Sequence, residues 1–197
     1  DRVNPTVTVD IVDTQLSDTD SSSQVTFTFS EAPTNFSEAD ISVSAGLTLV
    51  AGSLAQDAGN PLLWTATVTA NDAFDGTGTV TVGTAWQDTV GNTGIGDDDT
   101  VAIDRVNPTV TVDIVDTQLS DTDSSSQVTF TFSEAPGASF TVADITATHG
   151  TVTGLTATAD PLVFTATFTA DDGFAGQGSV SVTAGSYTDT AGNTGSA

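Results

Sequence analysis

Residues 5–12 read PTVTVDIV, and in an extended chain Val7, Val9 and Ile11 fall on one side while Thr6, Thr8 and Asp10 fall on the other. Successive side chains of a strand point to opposite faces, so this alternation marks a strand with one face in a core and the other in water. The pattern recurs along the chain. QVTFTFS, residues 24–30, puts Val25, Phe27 and Phe29 on one face; ISVSA offers Ile41 and Val43; LWTATVTA offers Trp64, Ala66 and Val68; TVTV offers Val80 and Val82. No helix-period segment of useful length interrupts them, and Gly, Asn, Asp and Ser punctuate the runs. Short strands with turn signals at near-regular spacing predict an all-β fold, an antiparallel sandwich of about seven strands per unit. The strands are expected at 5–12 (A), 24–30 (B), 41–45 (C), 47–55 (D), 62–70 (E), 78–86 (F) and 99–104 (G).

The same stretch decides the domain count. Residues 1–33 and 104–136 are identical letter for letter, and an internal copy at that offset implies two domains in tandem, 1–103 and 104–197. The second copy keeps the period with Val110, Val112 and Ile114, then Val128, Phe130 and Phe132, then Phe164, Ala166 and Phe168, then Val180 and Val182. Trp64 becomes Phe164 and Val68 becomes Phe168, which reads as repacking around one fold. The first copy runs on through GIGDDDTVAIDR, whereas the second stops at GNTGSA without a counterpart of Val101 and Ile103. An exposed sheet edge is expected there, through which a following unit would be reached.

Charge restricts the function classes. Asp and Glu number 26 against two basic residues, for a formal net charge of −24. Nucleic acid and anionic membrane would be repelled, so neither is an expected partner. Crowded carboxylates repel at about 4 kcal/mol per close pair near a surface, which calls for divalent cations or high salt. A hydrophobic fraction of 37% with ten Phe and two Trp suits folded domains rather than an acidic tail. Cys is absent, no stretch reaches the length of a membrane span, and no signal-peptide pattern is present.

Taken in order, NPTVTV, VTFTFSEAP, ADI, WTATVTA and DTVGNTG, with VFTATFTA and DTAGNTG in the second copy, resemble the bacterial Ig-like repeats that fill the extender regions of very large surface adhesins, RTX-type and biofilm-associated ones among them. FSE after strand B together with DxxGN after strand F carries the resemblance. It implies tandem immunoglobulin-like sandwiches arranged end to end as a calcium-stiffened rod, secreted or held at the bacterial cell surface. Such a rod projects a distal ligand-binding region for adhesion or biofilm formation. Neighbouring repeats of the same chain are the implied partners, with no direct membrane insertion and a monomeric state.

In an antiparallel sandwich the B to C and F to G loops share one end with the chain's entry point. This gathers Asp1, Glu31, Asp40, Asp88 and Asn92 in the first copy and Asp104, Glu134, Asp144, Asp189 and Asn193 in the second. Carboxylates, amide oxygens and backbone carbonyls from several loops suit a hard cation with six to eight oxygen ligands, namely Ca2+. The opposite end of the first copy carries Asp13, Asp18, Asp20, Asp72 and Asp75, so that Asp72 and Asp75, with Asp104 and Asn107 of the linker, are further candidates. DTDSSS is no EF-hand, because Ser23 stands where Gly is required and Phe29 where Glu is required. Asp97, Asp98, Asp99, Asp57 and Glu38 read as solvated surface charge.

His149 is the only histidine and aligns with Ala45, so it reads as a turn residue. Nothing repeated in both copies builds an activated nucleophile, and no enzyme is expected. Arg2 and Arg105, the only basic residues, occupy the linker segments, where they pair with loop carboxylates or face solvent. Trp86 and Tyr187 flank the F to G loop; packing is the expected role, and stacking on a sugar is the alternative that would make this a carbohydrate- or surface-ligand-binding module.

Overall fold

A computed structural model of the protein describes residues 2–196. The chain separates into two compact units, the first ending at Val106 and the second beginning at Asn107. Each is all-β, with one short 3-10 turn, at Glu38–Asp40 and Val142–Asp144 respectively.

Among the described residues nine strands build the first unit: β1 (Val7–Ile11), β2 (Gln15–Leu16), β3 (Ser22–Phe29), β4 (Ile41–Val43), β5 (Leu47–Leu49), β6 (Ala55–Gln56), β7 (Leu63–Ala70), β8 (Asp75–Val82) and β9 (Asp97–Asp104). One sheet has the order β1-β3-β7-β5, with β6 also on β7, and the other has the order β2-β9-β8-β4. Among the described strands β2 and β9 alone pair in parallel. The alternation read from the sequence sets the register: Val9 faces Phe27 across β1 and β3, and Phe27 faces Trp64 across β3 and β7. Their inner faces meet Val80 and Val82 of β8 and Val101 and Ile103 of β9 in a single core.

Three details differ from the expected strands. Strand D is two short pieces, β5 and β6. Strand F stops at Val82, because the chain leaves the sheet before Trp86, which is driven into the core at 0% exposure. The stretch read as the A to B loop contains β2, whose Leu16 is wholly buried against β9. Period-2 analysis cannot flag a two-residue strand.

The second unit contains β10 (Val110–Ile114), β11 (Ser125–Phe132), β12 (Ile145–Thr148), β13 (Gly150–Ala157), β14 (Val163–Ala170) and β15 (Ser179–Val182). Its sheets are β10-β11-β14-β13 and the two-stranded β12-β15. Identical residues meet different fates in the two units. Val7, Val9, Ile11 and Leu16 are at most 5% exposed, whereas Val110, Val112, Ile114 and Leu119 are half-buried. In the first unit β9 lies over these side chains and contributes Val101 and Ile103; no described strand does so in the second.

Inside the cores, volume is exchanged between neighbours. Leu47 faces Ala70 and is buried in the first unit; Gly150 takes the place opposite Ala170 in the second. A Cβ on Gly150 would run into the ring of Phe168, the counterpart of Val68. Phe168 thus fills the room that Leu47 occupies, a swap that keeps total core volume nearly constant.

Candidate metal centre

The site begins with a short turn that appears in both copies, DTVGN at 88–92 and DTAGN at 189–193. Asp88 is 2% exposed. Its Oδ1 accepts the backbone N–H groups of Val90 and Asn92, each at 2.9 Å, and its Oδ2 accepts the Asn92 side-chain amide at 2.7 Å. Burial works against the Asp88 charge, but hydrogen bonds from the Asn92 side chain and from the backbone of Asn92, Val90 and Gly91 outweigh it and hold the pKa below its ordinary 3.8. Asp189 repeats the arrangement with Asn193, whose backbone and side-chain nitrogens both lie 2.9 Å from the carboxylate.

Beneath each turn sits an aromatic ring. Trp86 and Tyr187 are 0% and 1% exposed. A Cβ on Gly94 would collide with the Trp86 ring and one on Gly195 with the Tyr187 ring, so the last glycine of each GNTG run is required by packing. The Tyr187 hydroxyl donates to the Pro108 and Ser196 carbonyls at 3.2 and 2.8 Å, and burial raises its pKa. Neither ring offers a face on which a sugar could stack, and this removes the basis of the carbohydrate-binding alternative.

The loops converge as the sandwich topology requires. In the first unit Thr34 N–H donates to the Gln87 carbonyl at 2.9 Å, Pro33 bridges Asp88, and Ile95 N–H donates to the Pro5 carbonyl at 2.8 Å. In the second, Ser139 Oγ donates to the Thr188 carbonyl at 2.6 Å and Ser196 N–H to the Pro108 carbonyl at 2.9 Å. Glu134 follows β11 on this same end. Asp104, the first residue of the second sequence repeat, Glu134 and Asp189 each present one carboxylate oxygen, and these oxygens lie within 4.8 Å of one another. A group of this kind could hold a metal ion, and oxygen-only donors select a hard cation. Exposed acidic residues also cluster without one.

The other candidates are distributed as follows. Asp1 lies outside the described residues. Glu31 is half-buried after β3, at the place Glu134 holds in the second copy. Asp40 and Asp144 are engaged locally: Asp40 Oδ2 accepts Ser37 N–H at 2.9 Å and Asp144 Oδ2 accepts Thr141 N–H at 2.7 Å, closing the 3-10 turns. The side-chain amides of Asn92 and Asn193 are directed at Asp88 and Asp189. Asp75 opens β8, Asn107 is exposed, and Asp72 lies 3.8 Å from Arg105 Nη2.

Several acids read as solvated charge have structural roles. Asp97 Oδ2 accepts the Val9 N–H at 2.9 Å and Asp99 Oδ2 the Ile11 N–H at 2.8 Å. Both side chains point inward from β9 to the outer edge of β1, whose N–H groups would otherwise lack a ladder partner. Glu38 accepts Gly52 N–H at 2.7 Å, and Asp57 accepts Gly59 and Asn60 N–H at 2.8 Å. Asp98 is exposed, as expected. Arg105 is anchored inside the first unit, with Nε 3.0 Å from Asp18 Oδ1 and Nη1 2.6 Å from the Ala70 carbonyl. His149 does lie in a turn, with φ of +54°, and its ring stacks on Phe174 at 3.8 Å. The loop aromatics Phe36 and Phe140, which no alternation marks, are buried and join ring clusters with β3 and β11.

Two sandwiches with an acidic turn at the loop-bearing end define a class of tandem immunoglobulin-like domain. The chain belongs to the bacterial Ig-like domain family, whose description matches it twice, over residues 1–104 and 104–197. That family is not a catalytic one. No curated protein matches the chain. Among solved structures it is similar to surface layer protein SbsC, domains 4–9, at 16% identity and a TM-score of 0.27, covering 92% of this chain and 30% of that one. At so low a score the likeness carries no functional reading. Among the described residues no helix is long and apolar enough to cross a membrane.

Proposed function

We propose that the chain is a structural extender of a bacterial cell-surface adhesin, in which tandem Ig-like domains are stiffened by Ca2+ and carry a distal binding region away from the cell. The observation that supports this most is the meeting of Asp104, Glu134 and Asp189 within 4.8 Å. Three carboxylates at that separation repel one another strongly, and a divalent ion relieves the repulsion. Asp1, Glu31 and Asp88 are the same residues in the first sequence repeat, so the reading extends to a second equivalent site. Exact copying of residues 1–33 at 104–136 suits a module whose role is length.

The deciding experiment is thermal unfolding in chelator and again in millimolar Ca2+, with small-angle scattering under both conditions. If the dissociation constant is on the order of 10⁻⁴ M, as in extracellular modules, a 100-fold excess adds about 2.7 kcal/mol per site. For a domain of this size that corresponds to a rise in Tm of roughly 10–20 °C. Glu134→Gln, which removes one carboxylate charge from the group, should abolish most of the shift. A Tm and a scattering profile indifferent to Ca2+ would leave the acidity as surface charge alone.

A further inference from the structure

At one edge of the second unit, β13 pairs with β14 and with no other described strand. The same edge of the first unit is broken. There β5 ends at Leu49 and β6 begins at Ala55, and over the gap Glu38 Oε1 accepts the N–H groups of Gly52 and Leu54 at 2.7 and 3.4 Å. An interrupted edge with a carboxylate drawn across it resists the addition of a further strand. The second unit has lost both devices. Its β13 runs from Gly150 to Ala157 as one strand, with a register shift after Thr153. Val142, 54% exposed, stands in TVADI where Glu38 stands in SEADI.

Two features of this edge say what fits it. From Ile145 to Ala159 there is no Asp, Glu, Lys or Arg, so a second copy can approach here without setting carboxylates against carboxylates, despite a net charge of −24. In addition, residues 150–154 read GTVTG, the same in both directions. Backbone groups alternate along a strand, and Ala170 N–H is given to the Ser124 carbonyl on the far side of β14. Ala170 and Phe168 therefore turn away from β13, and Gly150 and Val152, which stand opposite them, turn their own N–H and C=O groups outward. Gly154, at φ of +68°, begins the bulge that ends this regular stretch.

We propose that β13 is a self-recognition edge, at which two copies of this chain pair antiparallel about Val152 and join their sheets into one. In that register the two Val152 residues exchange a pair of main-chain hydrogen bonds, each Thr151 lies beside the other copy's Thr153 on the exposed face, and glycine meets glycine at both ends. Thr–Thr neighbours across strands are favourable, and the glycines leave no side chain to obstruct the approach. The same patch serves on both sides, so the contact closes as a dimer and does not propagate into a filament. A ladder this short makes a weak contact, with a dissociation constant on the order of 10⁻⁵ to 10⁻³ M. The pairing lies wholly on the second unit's edge and is independent of the calcium reading.

Sedimentation equilibrium of the chain in chelator tests this, at about 0.15 M salt, where screening acts over roughly 8 Å, and at concentrations from about 10 μM to about 1 mM. A monomer–dimer equilibrium is expected, with hydrogen exchange at the Val152 amide slowing as concentration rises. Thr151→Glu with Thr153→Glu sets like charges opposite one another in both Thr pairs and should weaken dimerisation about tenfold or more, and Thr151→Lys with Thr153→Lys should do the same. Mixed together, the two double variants should pair with each other, because every Lys then faces a Glu. Both threonines are exposed, so each variant should keep the parent circular dichroism spectrum. A chain that stays monomeric up to its solubility limit, a dimer that tolerates the paired glutamates or leaves Val152 exchange unchanged, or double variants that fail to pair when mixed would each overturn the proposal.

Discussion

At the scale of single residues, many carboxylates in this protein act as hydrogen-bond acceptors for the backbone. Asp88 is the clearest case, because four donors keep it ionised despite burial. Its folded pKa is depressed, so the stability it contributes is present above the unfolded value of 3.8 and is lost as pH falls through the lower folded value. In chelator, the parent chain should therefore lose more stability than Asp88→Asn between roughly pH 5 and pH 2, and denaturant midpoints measured across that window check it. Asp99→Ala leaves the Ile11 N–H without its acceptor at the edge of β1. An unmade hydrogen bond of this kind costs about 1–3 kcal/mol, which should appear as a lowered midpoint for the first unit with an unchanged denaturant slope.

At the scale of elements, the two cores reach the same fold by different packing, and the exchange between β5 or β13 and β7 or β14 can be tested directly. Gly150→Leu alone forces a side chain into the Phe168 ring, and Phe168→Val alone leaves a cavity; each should destabilise the second unit by about 2–3 kcal/mol. The double variant recreates the Leu and Val pairing of the first unit and should recover part of the loss, the remainder coming from the Thr169 carbonyl oxygen, which a Cβ at position 150 meets at 2.6 Å. Additive destabilisation in the double-mutant cycle would show that the two positions do not share one volume. This complementarity was only half legible beforehand. The change from Val68 to Phe168 is plain in the alternation, but its partner is not, because His149 aligns by letter with Ala45 yet in the fold holds the positive-φ turn position of Gly46. That one-residue shift places Gly150, rather than Thr151, opposite Ala170.

At the scale of the whole molecule, the two units differ in how completely their cores are covered. Residues that are buried in the first unit are half-buried in the second, and apolar area contributes about 25 cal/mol per Å² removed from water. Calorimetry should resolve two transitions, the lower one belonging to the second unit. Assignment follows from Phe132→Ala, which should move only the lower transition, and Phe29→Ala, which should move only the upper one. Added monovalent salt should raise both, because a net charge of −24 works against each compact state.

The division of labour between sequence and fold follows from what each interaction needs. Alternation and copying are local, so the longer strands, their inward faces, the two domains and the acidic character of the loops were determined by the sequence by itself. Contacts between residues far apart in the chain were not. That Asp104, Glu134 and Asp189 meet while Asp40 and Asp144 are taken up by their own turns depends on loop closure in three dimensions, as does the capture of Val9 and Ile11 by Asp97 and Asp99. Identical letters in β1 and β10 end with different burial for the same reason: what covers a strand lies some ninety residues further on, and hydrophobic periodicity reports which face seeks cover without reporting whether cover arrives.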